Sequence, residues 1–235
     1  ANTALAAADG DQKKLWESEL RRILLELEAN RGGQFVDLWK KTRQHCLNDF
    51  EHIYKLFDIS FDKVFFESEV SESSQAIVDN YLQKGLFSES DGAIGLSLDE
   101  YNLGFLMVRK TDGTGLYITK DLSLAQKKFE QFKIDHSIYV VGSEQKFHFQ
   151  QLFKTLELMG FENAKNCYHL SYAHVRMPEG KMSSRAGNTI TFRGLFDLVE
   201  GELQTVLSKY QGQWPTEEIE DTAHKLAIGA IKYGM

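Results

Sequence analysis

The chain has 235 residues, 42% of them hydrophobic and 26% charged, an ordinary balance for a globular protein with one large domain or one domain plus a smaller attachment. A formal net charge of −7 excludes a chain that wraps nucleic acid through overall basicity, so any RNA contact has to be local. Cys46 and Cys167 stand far apart and make no disulfide framework, no apolar run is long enough to span a bilayer, and residues 1–5 lack the pattern of a signal peptide.

The spacing of apolar residues predicts a helix over 11–30, with Leu15, Leu20, Ile23, Leu24 and Leu27 on one face and Arg31-Gly32-Gly33 ending it. A second helix is expected over 34–57, with Leu38, Cys46, Phe50, Ile53, Tyr54 and Phe57 as its apolar positions. A third runs from about Ser73 to Lys84 and stops at Gly85. The period then changes, and 93–98 and 105–109 read as strands. Thr111 to Gly115 has hairpin-turn chemistry and leads to an expected return strand over 116–119. Residues 121–132 form an amphipathic helix with Leu122, Ala125 and Phe129 inward. The apolar run 137–141 reads as a buried parallel strand, entering Gly142 and a helix over 144–159. A strand is expected within 168–176, then helices over 195–210 and 217–232. The first third is thus helical, the middle α/β and the end helical. Without an initiator methionine, and with a last helix that runs to the terminus, the chain reads as a piece of a longer one.

Three segments could carry chemistry. From Val140 to Phe149, a buried strand delivers a glycine and then a helix, and in open α/β sheets that carboxyl edge is where ligands bind. Gly142 allows close backbone approach, and Glu144, Gln145 and His148 follow at a helix start that favours anions. The ordinary alternative is a helix start with polar surface residues. In Tyr117-Ile118-Thr119-Lys120-Asp121, strand alternation would put Tyr117 and Thr119 on one face and Asp121 at an N-cap. Taken locally, Asp121 is a capping residue, and a cationic substrate nearby would give it a further role because guanidinium is a carboxylate's best planar partner. Gly180 to Arg185 lies in a glycine-flanked loop with two cations and two hydroxyls, groups suited to gripping polyphosphate. It is not a Walker loop, since position 175 is Val where that motif needs glycine, and taken alone it reads as a basic surface loop. The seven histidines show no zinc spacing, and no nucleophile elbow is present.

In this order and spacing, the three segments resemble arginyl-tRNA synthetases of class I from about Leu38 onward. Phe61 to Ser68 resembles the family's "FD…ES" stretch, and Lys110 to Thr114 with Tyr117 to Asp121 its "DGT…Y-x-TRD", with Lys120 in place of arginine. Val140 to Phe149 resembles "VVGxEQxxHF", and His169 to Tyr172 followed by Gly180 to Gly187 the family's form of the "KMSKS" loop. The fold this implies is α/β, a partial Rossmann-like nucleotide-binding fold with helical segments at both ends. Its parts would be 1–60 as a helical lead-in, 61–194 as the second half of the catalytic fold, and 195–235 as a helical segment leading toward an anticodon-binding domain.

The resemblance also implies roles. Tyr117, Asp121 and Gln145 match positions that hold the arginine substrate, with Asp121 and Gln145 meeting its guanidinium and amino groups. Gly142 and Glu144 match the turn under the ATP ribose, His148 a position near the adenosine, and His174 and Val175 the lining of the adenine. Lys181, Met182, Ser183, Ser184 and Arg185 would clamp the triphosphate while the arginine carboxylate attacks the α-phosphate. The implied partners are L-arginine, ATP with Mg2+, and arginine tRNA, in the cytoplasm, with no membrane and no DNA. The chain departs from the pattern in three respects. Ser184 and Arg185 replace the second lysine and final serine of "KMSKS", no "HIGH"-like signature occurs, and the anticodon-binding domain is absent beyond a first helix at 225–235. The expectation is a fragment inactive by itself. The alternative from another class is a non-catalytic, synthetase-derived module that binds a ligand or partner.

Overall fold

The computed structural model describes residues 7–29, 32–173 and 190–234. In chain order, the helices are α1 (Gly10–Ala29), α2 (Gln34–Leu56), α3 (Ser71–Gln83), α4 (Tyr117–Phe132), α5 (Lys146–Leu158), α6 (Phe192–Leu207) and α7 (Thr216–Gly234). The strands are β1 (Ser88–Ser90), β2 (Ala93–Ser97), β3 (Phe105–Arg109), β4 (Ser137–Gly142) and β5 (Cys167–Tyr172). Two compact units result: Lys63–Val175, and Ala1–Asp62 with Arg176–Met235.

In the first unit, β1, β2 and β3 form an antiparallel sheet, and β4 and β5 a parallel pair in register from Ser137 opposite Cys167 to Gly142 opposite Tyr172. The connection β4–α5–β5 is the strand–helix–strand element from which nucleotide-binding sheets are built. The core gathers Val78, Phe87, Leu96, Leu98, Val108, Leu122, Leu152 and Leu156. As the periodicity requires, Leu122, Ala125 and Phe129 of α4 all face inward.

The expected return strand over 116–119 does not form. The turn is present, with Gly113 at φ 82° and Asp112 accepting from the Thr114 amide at 2.9 Å, but the returning chain makes a single bridge, Arg109 to Gly115. Leu116 is the extended N-cap and Tyr117 already the first helical residue. The β-branched Ile118 and Thr119 favour strand by propensity, yet burial decides otherwise. Thr119 is fully buried, and its hydroxyl donates to the carbonyl of Leu116 at 2.5 Å or that of Val108 at 3.1 Å, which ties the first turn of α4 to β3. Asp121 therefore stands in the second turn and not at the N-cap. The run 137–141 is also covered less than a continuous apolar strand suggests. Ser137, Tyr139 and Val141 face the helices, whereas Ile138 and Val140 are 59% and 62% exposed.

In the second unit, α6 and α7 pack on each other and on the end of α2, around Phe57, Phe196, Ala227 and Ile231. The Lys232 ammonium donates to the Phe57 carbonyl at 2.6 Å, satisfying an orphan acceptor at the helix end. The apolar face expected of α1 is only partly covered, as Leu15, Leu20 and Leu24 are exposed among the described residues; on α2, Leu38 and Phe50 are exposed as well. At the start of α6, the Thr191 hydroxyl accepts from the Gly194 amide at 3.1 Å. Thr191→Ala is expected to cost about 1 kcal/mol, read as a lowered midpoint in the fluorescence of Trp214, which stacks on Tyr210 in this unit.

Candidate functional site

The helical start of α4 changes which residues share a face. Tyr117 and Asp121 are four apart, so a helix places them one above the other, where a strand would have paired Tyr117 with Thr119. Tyr117 is 72% exposed, with the Lys120 ammonium 5.7 Å from its ring centre. Lys120 pairs with Glu67 at 2.6 Å.

The second element is the carboxyl end of β4. Gly142 is buried at ordinary extended φ, so its lack of a side chain serves close approach and not a left-handed turn. What approaches is Glu144: a Cβ at position 142 would overlap both oxygens of its carboxylate. Glu144 and Gln145 occupy a short 3-10 turn, Ser143–Gln145, ahead of α5, and both are exposed. His148 lies in the first turn of α5 proper.

These two elements meet. The His148 Nε2 is 2.7 Å from Asp121 Oδ2, and the two side chains are 27% and 34% exposed. Facing an ionised carboxylate, Nε2 carries the proton and donates. Beneath this pair, Phe149 is buried, with the His148 ring edge-on to it at 5.4 Å and the His169 ring 4.4 Å away; His169 Nε2 donates to the Val141 carbonyl at 2.9 Å.

At the opposite, amino-terminal end of the two strands lies a buried polar group. The Lys128 ammonium donates to Ser137 Oγ at 2.7 Å and sits 3.9 Å from the Tyr139 ring centre. Burial pulls the Lys128 pKa down. It pushes that of Tyr139 up, the buried hydroxyl lying close to Ser137 and Cys167. Burial also raises the Cys167 thiol, with Lys128 opposing, which makes Cys167 a poor nucleophile at neutral pH.

Of the residues singled out in the sequence, Tyr117 and Asp121 share one helix face, His148 is bonded to Asp121, and Gly142, Glu144 and Gln145 form the adjoining turn. His174, Val175, Lys181, Met182, Ser183, Ser184 and Arg185 lie outside the described residues. The contact between His148 and Asp121 was not legible in the sequence, because it joins residues 27 apart across two helices. Among the described residues, no three His, Cys, Asp or Glu side chains are grouped so as to hold a metal ion, and no helix is long and apolar enough to cross a membrane.

A strand–glycine–helix edge beside a carboxylate-bearing helix is the arrangement of nucleotide-binding α/β folds, and two solved structures similar to this one share the fold. The arginyl-tRNA synthetase of Thermus thermophilus matches with a TM-score of 0.75 over 98% of this chain and 44% of its own, at 16% identity. That of Plasmodium falciparum matches with a TM-score of 0.72 over 96% and 39%, at 17% identity. In sequence, the family described as class I tRNA synthetases (R), catalytic domain, matches residues 6–235. The arginine–tRNA ligase of Bdellovibrio bacteriovorus is 45% identical over all of this chain and 41% of its own length, and that of Clostridium acetobutylicum 37% identical over 95% and 39%. The chain belongs to the arginyl-tRNA synthetase family of class I, by its catalytic domain. It spans about two-fifths of the length of the curated relatives it matches.

Proposed function

We propose that this chain is the second half of the catalytic fold of an arginine–tRNA ligase that works in the cytoplasm on L-arginine, ATP with Mg2+, and arginine tRNA. The supporting observation is the bond from His148, in the first turn of α5 just after the turn at the carboxyl end of β4, to Asp121 on the Tyr117 face of α4. In this reading, Asp121 and Gln145 accept the guanidinium and amino hydrogens of arginine, and the Tyr117 hydroxyl orients them. Gly142 and Glu144 carry the nucleotide ribose. Lys181 to Arg185, with His174 and Val175 before them, serve the triphosphate and adenine. The arginine carboxylate oxygen bonds to the α-phosphorus and pyrophosphate leaves; a tRNA ribose hydroxyl then takes the acyl group from the adenylate, and AMP leaves. No covalent help from protein is needed in the first step, so positioning and charge stabilisation supply the rate.

The test is arginine-dependent exchange of pyrophosphate into ATP. The full-length protein is expected to catalyse it with arginine and with no other standard amino acid. The 235-residue chain alone, which contains no "HIGH"-like segment, is expected to give none. Exchange by the full-length protein with a different amino acid, or with none, would remove the assignment.

A further inference from the structure

We propose that His148 is a positioning residue for the Asp121 carboxylate, acting on the arginine side of the site and not on the nucleotide. This rests on the reading of Asp121 as the guanidinium acceptor.

An aspartate on a helix surface turns freely about its side-chain bonds, and a guanidinium that needs two parallel acceptors has to stop that motion. Here it is already stopped. The imidazole Nε2 donates to Oδ2 at 2.7 Å. The imidazole is held in turn, since His148 leaves the first turn of α5 edge-on to Phe149, and Phe149 packs on His169 and Tyr139 in the core. The cation next to Asp121 in sequence, Lys120, is engaged by Glu67 at 2.6 Å. One imidazole donor occupies one of about four lone-pair positions on a carboxylate. Both oxygens can still accept, so the bond fixes the carboxylate plane without consuming the binding edge. Asp121 remains 34% exposed, open to a ligand from solvent.

The experiment is pyrophosphate exchange by the full-length enzyme with arginine and ATP varied separately. His148→Leu is expected to raise the arginine KM about tenfold, the loss of one hydrogen bond to a charged group, with the ATP KM changed less than about twofold. His148→Gln, whose amide nitrogen reaches the place of Nε2, should restore most of the lost arginine affinity. His148→Asn is too short to reach Oδ2 and should behave like the leucine variant, which keeps the test open if His148→Leu folds poorly. The double variant with Asp121→Asn should be no weaker toward arginine than Asp121→Asn alone.

A raised ATP KM with an unchanged arginine KM would place His148 on the nucleotide and overturn the proposal. Equal loss in the glutamine and leucine variants would also overturn it, by showing that ring packing and not the donor matters. If Asp121→Asn raises the arginine KM while His148→Leu does not, the positioning role alone falls. If Asp121→Asn leaves the arginine KM unchanged, the reading of the site falls with it.

Discussion

Asp121→Asn in the full-length enzyme is expected to lower kcat/KM for arginine about 10- to 100-fold, with the ATP KM nearly unchanged. The substitution keeps shape and volume and removes the charge. It also replaces one acceptor by a donor, so either the guanidinium or the His148 Nε2, 2.7 Å away, meets an N–H instead of a lone pair. Hydrogen bonds to charged groups are worth about 1.5–3 kcal/mol, which gives that range at about 1.4 kcal/mol per factor of ten. The larger loss of about 3–5 kcal/mol seen when a buried ion pair is broken does not apply, because the Asp121 side chain is 34% exposed and solvent screens part of the interaction. A second readout is selectivity. Charge-reading acceptors reject a neutral ureido isostere of arginine strongly, and that discrimination should narrow in the asparagine variant. A change in arginine kcat/KM below about twofold would mean that Asp121 does not read the guanidinium.

Asp121 is legible in the sequence through the family resemblance; taken locally it reads as a capping residue at the end of a strand. The structure differs at Ile118 and Thr119, whose β-branching matches a strand while their burial selects the first turn of a helix. Helices are legible where apolar spacing is dense, as in α4, since three inward positions over two turns leave one solution. In α1 the helix itself is equally legible, but Leu15, Leu20 and Leu24, which satisfy its period, are exposed. Periodicity reports which residues share a face, not whether anything covers it. The same holds for β4. A run of five residues without polar alternation suggests two covered faces, but α4 and α5 cover only the side of Tyr139 and Val141. The pairing of Asp121 with His148 was beyond sequence reasoning for a different cause. It depends on how two helices lie against one sheet, and no local pattern encodes that.

That one-sided cover gives a large stability contrast between two equally apolar side chains. Leu152→Ala is expected to destabilise the unit Lys63–Val175 by about 2–5 kcal/mol, whereas Leu170→Ala should cost less than about 1 kcal/mol. Leu152 of α5 is fully buried among the core residues that include Leu122 and Leu156, so truncation removes its transfer energy and leaves a cavity. Leu170 of β5 is just as apolar but 49% exposed, on the sheet face shared with Ile138 and Val140, so truncation there opens no enclosed space. The two units can be followed separately, because Trp16, Trp39 and Trp214 all lie outside Lys63–Val175. Amide hydrogen exchange in β4, α4 and α5 should show the loss of protection in Leu152→Ala. The tryptophan emission transition should move far less, since a chain with two units need not unfold in one step. Equal losses at 152 and 170, measured on this 235-residue chain, would mean that the outer face of β4 and β5 is covered in solution and that the one-sided core described above is wrong.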